Sequence, residues 1–543
     1  MSTCVQQSCA AALTMAPGSC ASTATASLEP VPEGGRKASG SDTDSGSPRG
    51  TRPQLGGTEV VTVASKELEV NWLASGNRAC FVPTTAKMNM AEVKTQVQRL
   101  AGIPIQEQRL FAHGCELPGD AAVPSMDGNA ESALLLVRTV SDPRVTNLGH
   151  FRAPTRKYAA PPSGAFTKIQ KVASGINGDI LKYRWCTEQG NDFVAVKMLR
   201  NNMLDQFWGT ETDERTVHLD PKQRRVPDAE DALAEIGILS QLAKQPDLPL
   251  YLLRMLGVFA DELSTWVVTE FAEGGDLFEV VASGLLMEAQ VRRHMWQLLQ
   301  AVDYLHKHGI GHRDISLENI LLKDGNLRLM DFGMAVRSHS ASGTPLRYFR
   351  AVGKDFYRAP DCYVPAIAEA WVTAPIASKP EDVVAVRVGS SNLCEVRLPK
   401  DAVPGQSCLA ELWGYAVPPA DIFSCGVCFF ILSWQCPPWH QARLADRSFG
   451  YVHSCGEKGI ESLLQSWRKP FLSPAAMQLL SDMLRPDPSQ RPSVAKCLAS
   501  PWFAEFADTP VPLHEQQQQQ KAPESPAGSV ADEGMDVGAP GGA

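Results

Sequence analysis

His312-Arg313-Asp314, Asn319 and Asp331-Phe332-Gly333 fall within about twenty residues of one another, and no other feature constrains the chain as much. Two carboxylates and an amide at this spacing supply what phosphoryl transfer from a nucleotide requires: a carboxylate at the acceptor hydroxyl and oxygen ligands for divalent cations. Asp314 suits the first task, and Asn319 and Asp331 suit the second. One such tripeptide would carry little weight. Together, in this order and at this spacing, they seldom arise by chance.

The set resembles the catalytic segment of the eukaryotic protein kinases, and further stretches match at the expected distances. Phe193-Val194-Ala195-Val196-Lys197 reads as a strand ending in a lysine aimed at the α/β-phosphates, with Glu235 at helical spacing to pair with it. Ala173 to Ile180 resembles a glycine-rich loop with Ala173 in place of the first glycine. Gly175 and Gly178 keep the part where backbone amides must approach phosphate without a Cβ between them. Thr269, Glu270 and Ala272 resemble the hinge between two lobes, so backbone groups of Glu270 and Ala272 are implied to meet adenine, with Asp276 at the ribose or the substrate. Ile180, Ala195 and Leu321 complete the implied nucleotide-binding set. Ala359-Pro360-Asp361 stands for the family's APE motif, Asp421 opens a long apolar helix, and Arg491 is implied to pair with Asp361. The resemblance covers about residues 166 to 504 and implies a two-lobed α+β fold using ATP and Mg2+.

Two departures bear on mechanism. Ser/Thr kinases carry a lysine two residues after the catalytic aspartate, and Ser316 stands there instead. They also carry Gly-Thr before the APE motif, where this chain has Gly353-Lys354. Because both changes fall in one network and preserve its charge, we expect Lys354 to reach Asp314 and the γ-phosphate while Ser316 supplies the hydroxyl. The alternative leaves Lys354 facing solvent and the site impaired. The Leu317-Glu318-Asn319 ending and the Gly274-Gly275-Asp276-Leu277-Phe278 stretch resemble calcium/calmodulin-dependent and AMP-activated Ser/Thr kinases. Arg313 predicts control by phosphorylation in the following loop, at Ser338, Ser340, Ser342 or Thr344. Glu318 and Asp276 favour a mild basic preference in substrates, since Ile431 replaces the Glu of strongly basophilic relatives.

The 543 residues allow two to four domains, and 44% hydrophobic content is ample for buried cores. A net charge of −9 argues against a general nucleic-acid binder. No run approaches eighteen apolar residues, so no transmembrane span is expected, and no secretory signal is visible. Fourteen scattered Cys fit reduced thiols in a cytoplasmic or nuclear setting. Cys425 and Cys428 lack a second ligand pair and read as core packing. Residues 1–58 and 505–543 are polar, Pro/Gly-rich or Gln-rich, and are expected to be disordered.

Residues 59–140 read as a second folded unit. Leu68 to Leu73 alternates as a strand, and Arg78 to Pro83 is a plausible partner. Val93, Val97 and Leu100 make a helical stripe capped by Asn89, and two further apolar runs follow at 108–112 and 134–138. Val93-Lys94, Gly102-Ile103-Pro104, Gln108-Arg109-Leu110 and the closing Leu136-Val137-Arg138 resemble ubiquitin, implying a β-grasp ubiquitin-like domain. Arg138-Thr139-Val140 runs on where ubiquitin ends in Gly-Gly, so conjugation is not expected. Phe111 and Val137 fall at ubiquitin's apolar binding patch. A surface for ubiquitin receptors or for the kinase itself, and a plain β-grasp module, both remain open.

Residues 141–165 read as a linker. Two insertions interrupt the kinase resemblance: 205–228, expected to be a mobile loop, and 362–418, expected to carry a hairpin from 383–388 and 393–398 turned at 389–392. Two functions stay in contention. One is a Ser/Thr protein kinase acting on protein substrates. The other is a pseudokinase scaffold that binds nucleotide and recruits partners, or in its extreme form a ubiquitin-pathway adaptor.

Overall fold

The computed structural model describes residues 66–514 except 73–77, 86–87, 102, 104, 113–114, 124–132, 139–141, 150, 154–157, 176–177, 188–189, 208–213, 220–230 and 341–342. The tails expected at 1–58 and beyond 514 lie outside the described residues. So do 208–213 and 220–228 of the first insertion, and Ser342.

The first unit is a mixed sheet of β1 (Lys66–Trp72), β2 (Arg78–Thr84), β3 (Gln108–Ala112), β4 (Cys115–Glu116) and β5 (Leu134–Arg138) in the order β2-β1-β5-β3-β4. Only β1 and β5 run parallel. Helix α1 (Met90–Ala101) crosses one face and buries Met90, Val93 and Val97 against Leu68, Val70, Leu110, Leu134 and Leu136. Its start is a capping box: Asn89 Oδ1 accepts from Glu92 N at 3.0 Å, and Glu92 Oε2 accepts from Asn89 N at 3.1 Å. These bonds satisfy amides that the first helical turn leaves without partners.

The second unit begins with five antiparallel strands, β6 (Phe166–Ser174), β7 (Gly178–Thr187), β8 (Gly190–Arg200), β9 (Met255–Ala260) and β10 (Ser264–Glu270), in the order β6-β7-β8-β10-β9. Between β8 and β9 lie α2 (Asn201–Phe207), α3 (Glu214–Leu219) and α4 (Ala232–Leu242). The insertion expected to be a mobile loop is therefore helical in part. Glu214 and Val217 are buried, which requires the short α3 to be docked rather than free.

A mainly helical region follows with α5 (Leu277–Ser283), α6 (Glu288–Lys307) and α7 (Val417–Trp434). Two short ribbons pair β11 (Ile310–Gly311) with β14 (Val336–Arg337), and β12 (Ile320–Lys323) with β13 (Asn326–Leu329). By length and composition α7 could cross a membrane, but 89% of it is buried inside the protein. An apolar helix with no polar face is what the middle of a large soluble core requires, and Cys425 and Cys428 are fully buried within it.

The second insertion is a sheet in its own right. Strands β15 (Glu369–Thr373), β16 (Val383–Val388), β17 (Asn392–Arg397) and β18 (Ser407–Leu412) run in the order β15-β18-β17-β16. The expected hairpin is its β16–β17 pair, closed by Val388 opposite Asn392. Strands β15 and β18 were not anticipated, although β15 alternates exposed and buried residues with period two. Val372, Val388, Cys394, Val396, Ala410 and Leu412 form a separate small core.

The expected tail boundary falls later than 504. Leu250 N donates to Pro512 O at 2.8 Å, and His514 N donates to Leu248 O at 2.9 Å. Backbone pairing thus holds the chain down as far as His514.

Candidate active site

The loop between β11 and β12 carries Asp314, and its shape is set by a carboxylate distant in sequence. Asp421, near the start of α7, accepts from His312 N and Arg313 N, each at 2.9 Å, and lies 3.0 Å from His306 Nε2. Arg313 adopts φ +68° and Asp331 φ +67°. Non-glycine residues hold such angles only where surrounding bonds compel them. Asn319 Nδ2 donates to both the backbone oxygen and Oδ2 of Asp314, each at 2.8 Å.

Lys197 on β8 meets Glu235 on α4, Nζ to Oε2, at 2.6 Å. Burial pushes the Glu235 carboxyl up, Lys197 pulls it down, and Asp331 adds to the rise. Gly175 N donates to Gly178 O at 2.8 Å. A Cβ on Gly178 would lie 1.8 Å from Met198 O, so only glycine fits against β8 there. Ile180 pairs with Lys197, and Ala195 with Thr269, in adjacent strand registers. Leu321 lies on β12 and bridges to Asp276, while Glu270 ends β10 and Ala272 follows it. Asp276 caps α5 by accepting from Glu279 N at 2.8 Å, and burial raises its pKa.

Lys354 and Ser316 meet, with Nζ donating to Oγ at 2.6 Å and Ser316 fully buried. The same ammonium lies 3.6 Å from Asp314 Oδ2, and Lys354 N donates to Asp314 Oδ1 at 3.2 Å. Gly353 permits this approach: its φ is +81°, and a Cβ would fall 2.6 Å from Arg313 O. Burial raises the Asp314 pKa and Asp331 adds to it, while Lys354, His312 and the Asn319 bond oppose the rise. The result is a mostly buried carboxylate with the Lys354 ammonium beside it, an arrangement able to accept a proton and to stabilise developing negative charge.

Asp331 and Asn319 fit a hard divalent cation. One carboxylate and one amide oxygen are donor types that Mg2+ takes. Asn319 commits its Nδ2 to Asp314, which turns its amide oxygen the other way.

Farther out, Arg491 pairs with Asp361 at 2.6 Å with both side chains almost wholly buried, as the kinase resemblance implied. Arg313 departs from expectation. In place of waiting for a phosphate in the 338–344 loop, its Nη2 donates to Glu214 Oε1 of α3 at 2.8 Å. The partners lie 99 positions apart in the chain, beyond the reach of any local pattern. Charge burial supplies the reason, since a guanidinium 4% exposed requires an anion beside it.

Residues 142–149 and 151–153 lie against this machinery. Arg152 Nε donates to Asp231, the α4 cap, at 2.6 Å, and Ala153 N donates to Leu233 O at 3.0 Å. Gly237 of α4 faces Phe151 O so closely that a Cβ would sit 1.8 Å away.

A family model described as "Protein kinase domain" matches residues 166–369 and 413–503. The break in the match falls over the β15–β18 insertion. Among curated relatives, the chain is 27% identical over 273 residues to CBL-interacting protein kinase 31 of Oryza sativa subsp. japonica, covering 50% of this chain and 47% of that protein. It is 25% identical to CBL-interacting serine/threonine-protein kinase 5 of Arabidopsis thaliana, covering 53% and 51%. It is 27% identical to calcium-dependent protein kinase 17 of Arabidopsis thaliana, covering 53% and 43%. The chain spans about half the length of the curated relatives it matches.

Proposed function

Because the chain belongs to the protein kinase family, we propose that it transfers the γ-phosphoryl group of Mg-ATP to serine or threonine hydroxyls of protein substrates. One observation carries the reading: the Lys354 ammonium lies 2.6 Å from Ser316 Oγ and 3.6 Å from Asp314 Oδ2. A chain that had merely lost its catalytic-loop lysine would have no reason to bring another there.

Asp331 and Asn319 would hold Mg2+, which when bound supplies positive charge against phosphate oxygens. Lys197, steadied by Glu235, would position the α/β-phosphates under the Gly175–Gly178 turn. Ile180, Ala195 and Leu321 would flank the adenine, and the backbone of Glu270 and Ala272 would hold its edge. Asp276 would meet ribose or substrate. Asp314 would orient the acceptor hydroxyl and take its proton, while Lys354 neutralises the group in flight and Ser316 anchors that lysine.

We also read residues 59–140 as a ubiquitin-like domain. The sheet order β2-β1-β5-β3-β4 with one crossing helix supports this; Phe111, under the Arg109 guanidinium at 5.2 Å, and Val137 would then form either a docking surface or the ordinary face of a β-grasp module.

The test is phosphate transfer from Mg-ATP to a Ser/Thr peptide library by wild type, Asp314→Asn and Lys354→Ala. Activity in wild type that both substitutions abolish is the expected outcome. ATP binding without turnover in wild type would sink the enzyme reading and favour a nucleotide-binding scaffold, for which the Ser316 replacement speaks.

A further inference from the structure

We propose that Glu214 is a positioning residue, supplied by the insertion between β8 and α4, which occupies the place on Arg313 that an activation-loop phosphate would otherwise take. The site is thereby assembled without phosphorylation. This inference rests on the kinase reading above and adds how the site is held in its active arrangement.

Three observations converge on Glu214. First, the pair is sealed: the Arg313 side chain is 4% exposed and that of Glu214 is 0% exposed. Burial alone would disfavour the Arg313 charge, yet the nearby Glu214 carboxylate, with the Tyr415 and Tyr348 rings, raises its pKa above the ordinary arginine value. Second, Glu214 joins both sides of the site. Oε1 accepts from Arg313, next to Asp314 in the chain, and Oε2 accepts from Phe349 N at 3.3 Å, just ahead of Gly353-Lys354. One carboxylate therefore ties the Asp314 loop to the segment that delivers Lys354. Third, Glu214 is itself anchored, since its N donates to Thr146 O at 3.1 Å. His218 Nε2 lies 2.7 Å from Pro365 O one helical turn later.

Among the described residues, the expected phosphate acceptors are poorly disposed to compete. Ser338 and Ser340 are buried, and Ser338 Oγ is engaged with His339 Nδ1 at 3.0 Å. Thr344 is exposed, but a phosphate there would have to displace Glu214 from a dry pocket to reach Arg313. A phosphate dianion and a carboxylate offer the same charge-assisted bonds to a guanidinium. The carboxylate is encoded in the chain and needs no upstream kinase.

The test compares the full chain before and after phosphatase treatment, with phosphate content checked by mass spectrometry, alongside Glu214→Gln and Glu214→Asp. Treated wild type should turn over as fast as untreated. Glu214→Gln should lose about 10²-fold in kcat, the usual cost of displacing a catalytic group by about an ångström, with KM for ATP little changed. Glu214→Asp, which keeps the charge, should recover most of that loss. A fall in activity on phosphatase treatment, restored by rephosphorylation, would overturn the proposal and leave the kinase reading intact. Glu214→Gln as active as wild type would also overturn it. If wild type transfers no phosphate in either form, the kinase reading fails, and hydrogen exchange then decides the pairing. Faster exchange at 312–319 in Glu214→Gln supports it, and unchanged exchange overturns it.

Discussion

Removing the Lys354 ammonium tests the site at its least conventional point. That cation lies 3.6 Å from Asp314 Oδ2, where Coulomb's law at an effective dielectric near 20 gives roughly 4–5 kcal/mol before screening. With the Lys354 side chain 35% exposed, water reduces this to about 3 kcal/mol, or roughly 10²-fold in rate. Lys354→Ala should accordingly lower kcat by about two orders of magnitude, with KM for ATP nearly unchanged because Lys197 and Glu235 are untouched. Its pH profile should move as well. Burial raises the Asp314 pKa and Lys354 opposes that rise, so without the lysine the pKa climbs further. Asp314 accepts a proton only when ionised, and the acid limb of kcat should therefore shift to higher pH. The reciprocal exchange, Ser316→Lys with Lys354→Thr, puts the two groups back in the order common among Ser/Thr kinases. Because Nζ and Oγ are 2.6 Å apart, the cation returns to nearly the same point, and the double variant should regain at least about tenfold over Lys354→Thr alone. Steady-state kinetics on a Ser/Thr peptide settle the matter. Undiminished turnover in Lys354→Ala, or a double variant no better than the single one, would refute the reasoning.

Other perturbations have equally definite outcomes. Arg491→Ala leaves the Asp361 carboxylate buried without its partner at 2.6 Å, and should cost about 3–5 kcal/mol in chemical denaturation. Gly353→Ala places a Cβ 2.6 Å from Arg313 O at φ +81°, so kcat should drop as Lys354 is pushed from Asp314, by about 10²-fold in steady-state assays. Gly237→Ala would put a methyl 1.8 Å from Phe151 O; hydrogen exchange at 142–153 should speed up as that segment lifts from α4. Burial lowers the His294 pKa to about 4, with Arg293 adding to the effect. The folded state thus binds this proton less readily than the unfolded chain, whose His titrates near 6.5. The His294 contribution is complete above pH 6.5 and is lost as pH falls toward 4, by up to roughly 3 kcal/mol. His294→Gln should therefore show a smaller decrease in Tm between pH 7 and pH 5.

The site was more legible in the chain than the architecture around it. Lys197 and Glu235, Asp361 and Arg491, and Lys354 and Ser316 could each be paired from the kinase resemblance and the departures from it, and each pair makes contact. The β16–β17 hairpin was readable because its turn and alternation are local, whereas β15 and β18 are partners separated by the whole hairpin. Glu214 escaped notice in a charged stretch where a solvated loop was the natural reading. Residues 151–153 carry no pattern of their own, since what holds them is the cap and backbone of α4.

By itself, then, the sequence determined which carboxylates, amide and cation are available to the site, because the motifs that carry them keep their order and spacing whatever surrounds them. Only the tertiary structure decided what that chemistry leans on. It joined Arg313 to Glu214 across 99 positions, set Asp421 beneath the Asp314 loop, and built a sheet into the second insertion. These are contacts between buried groups. A buried charge must be met by an opposite charge, but nothing in the local sequence says from where.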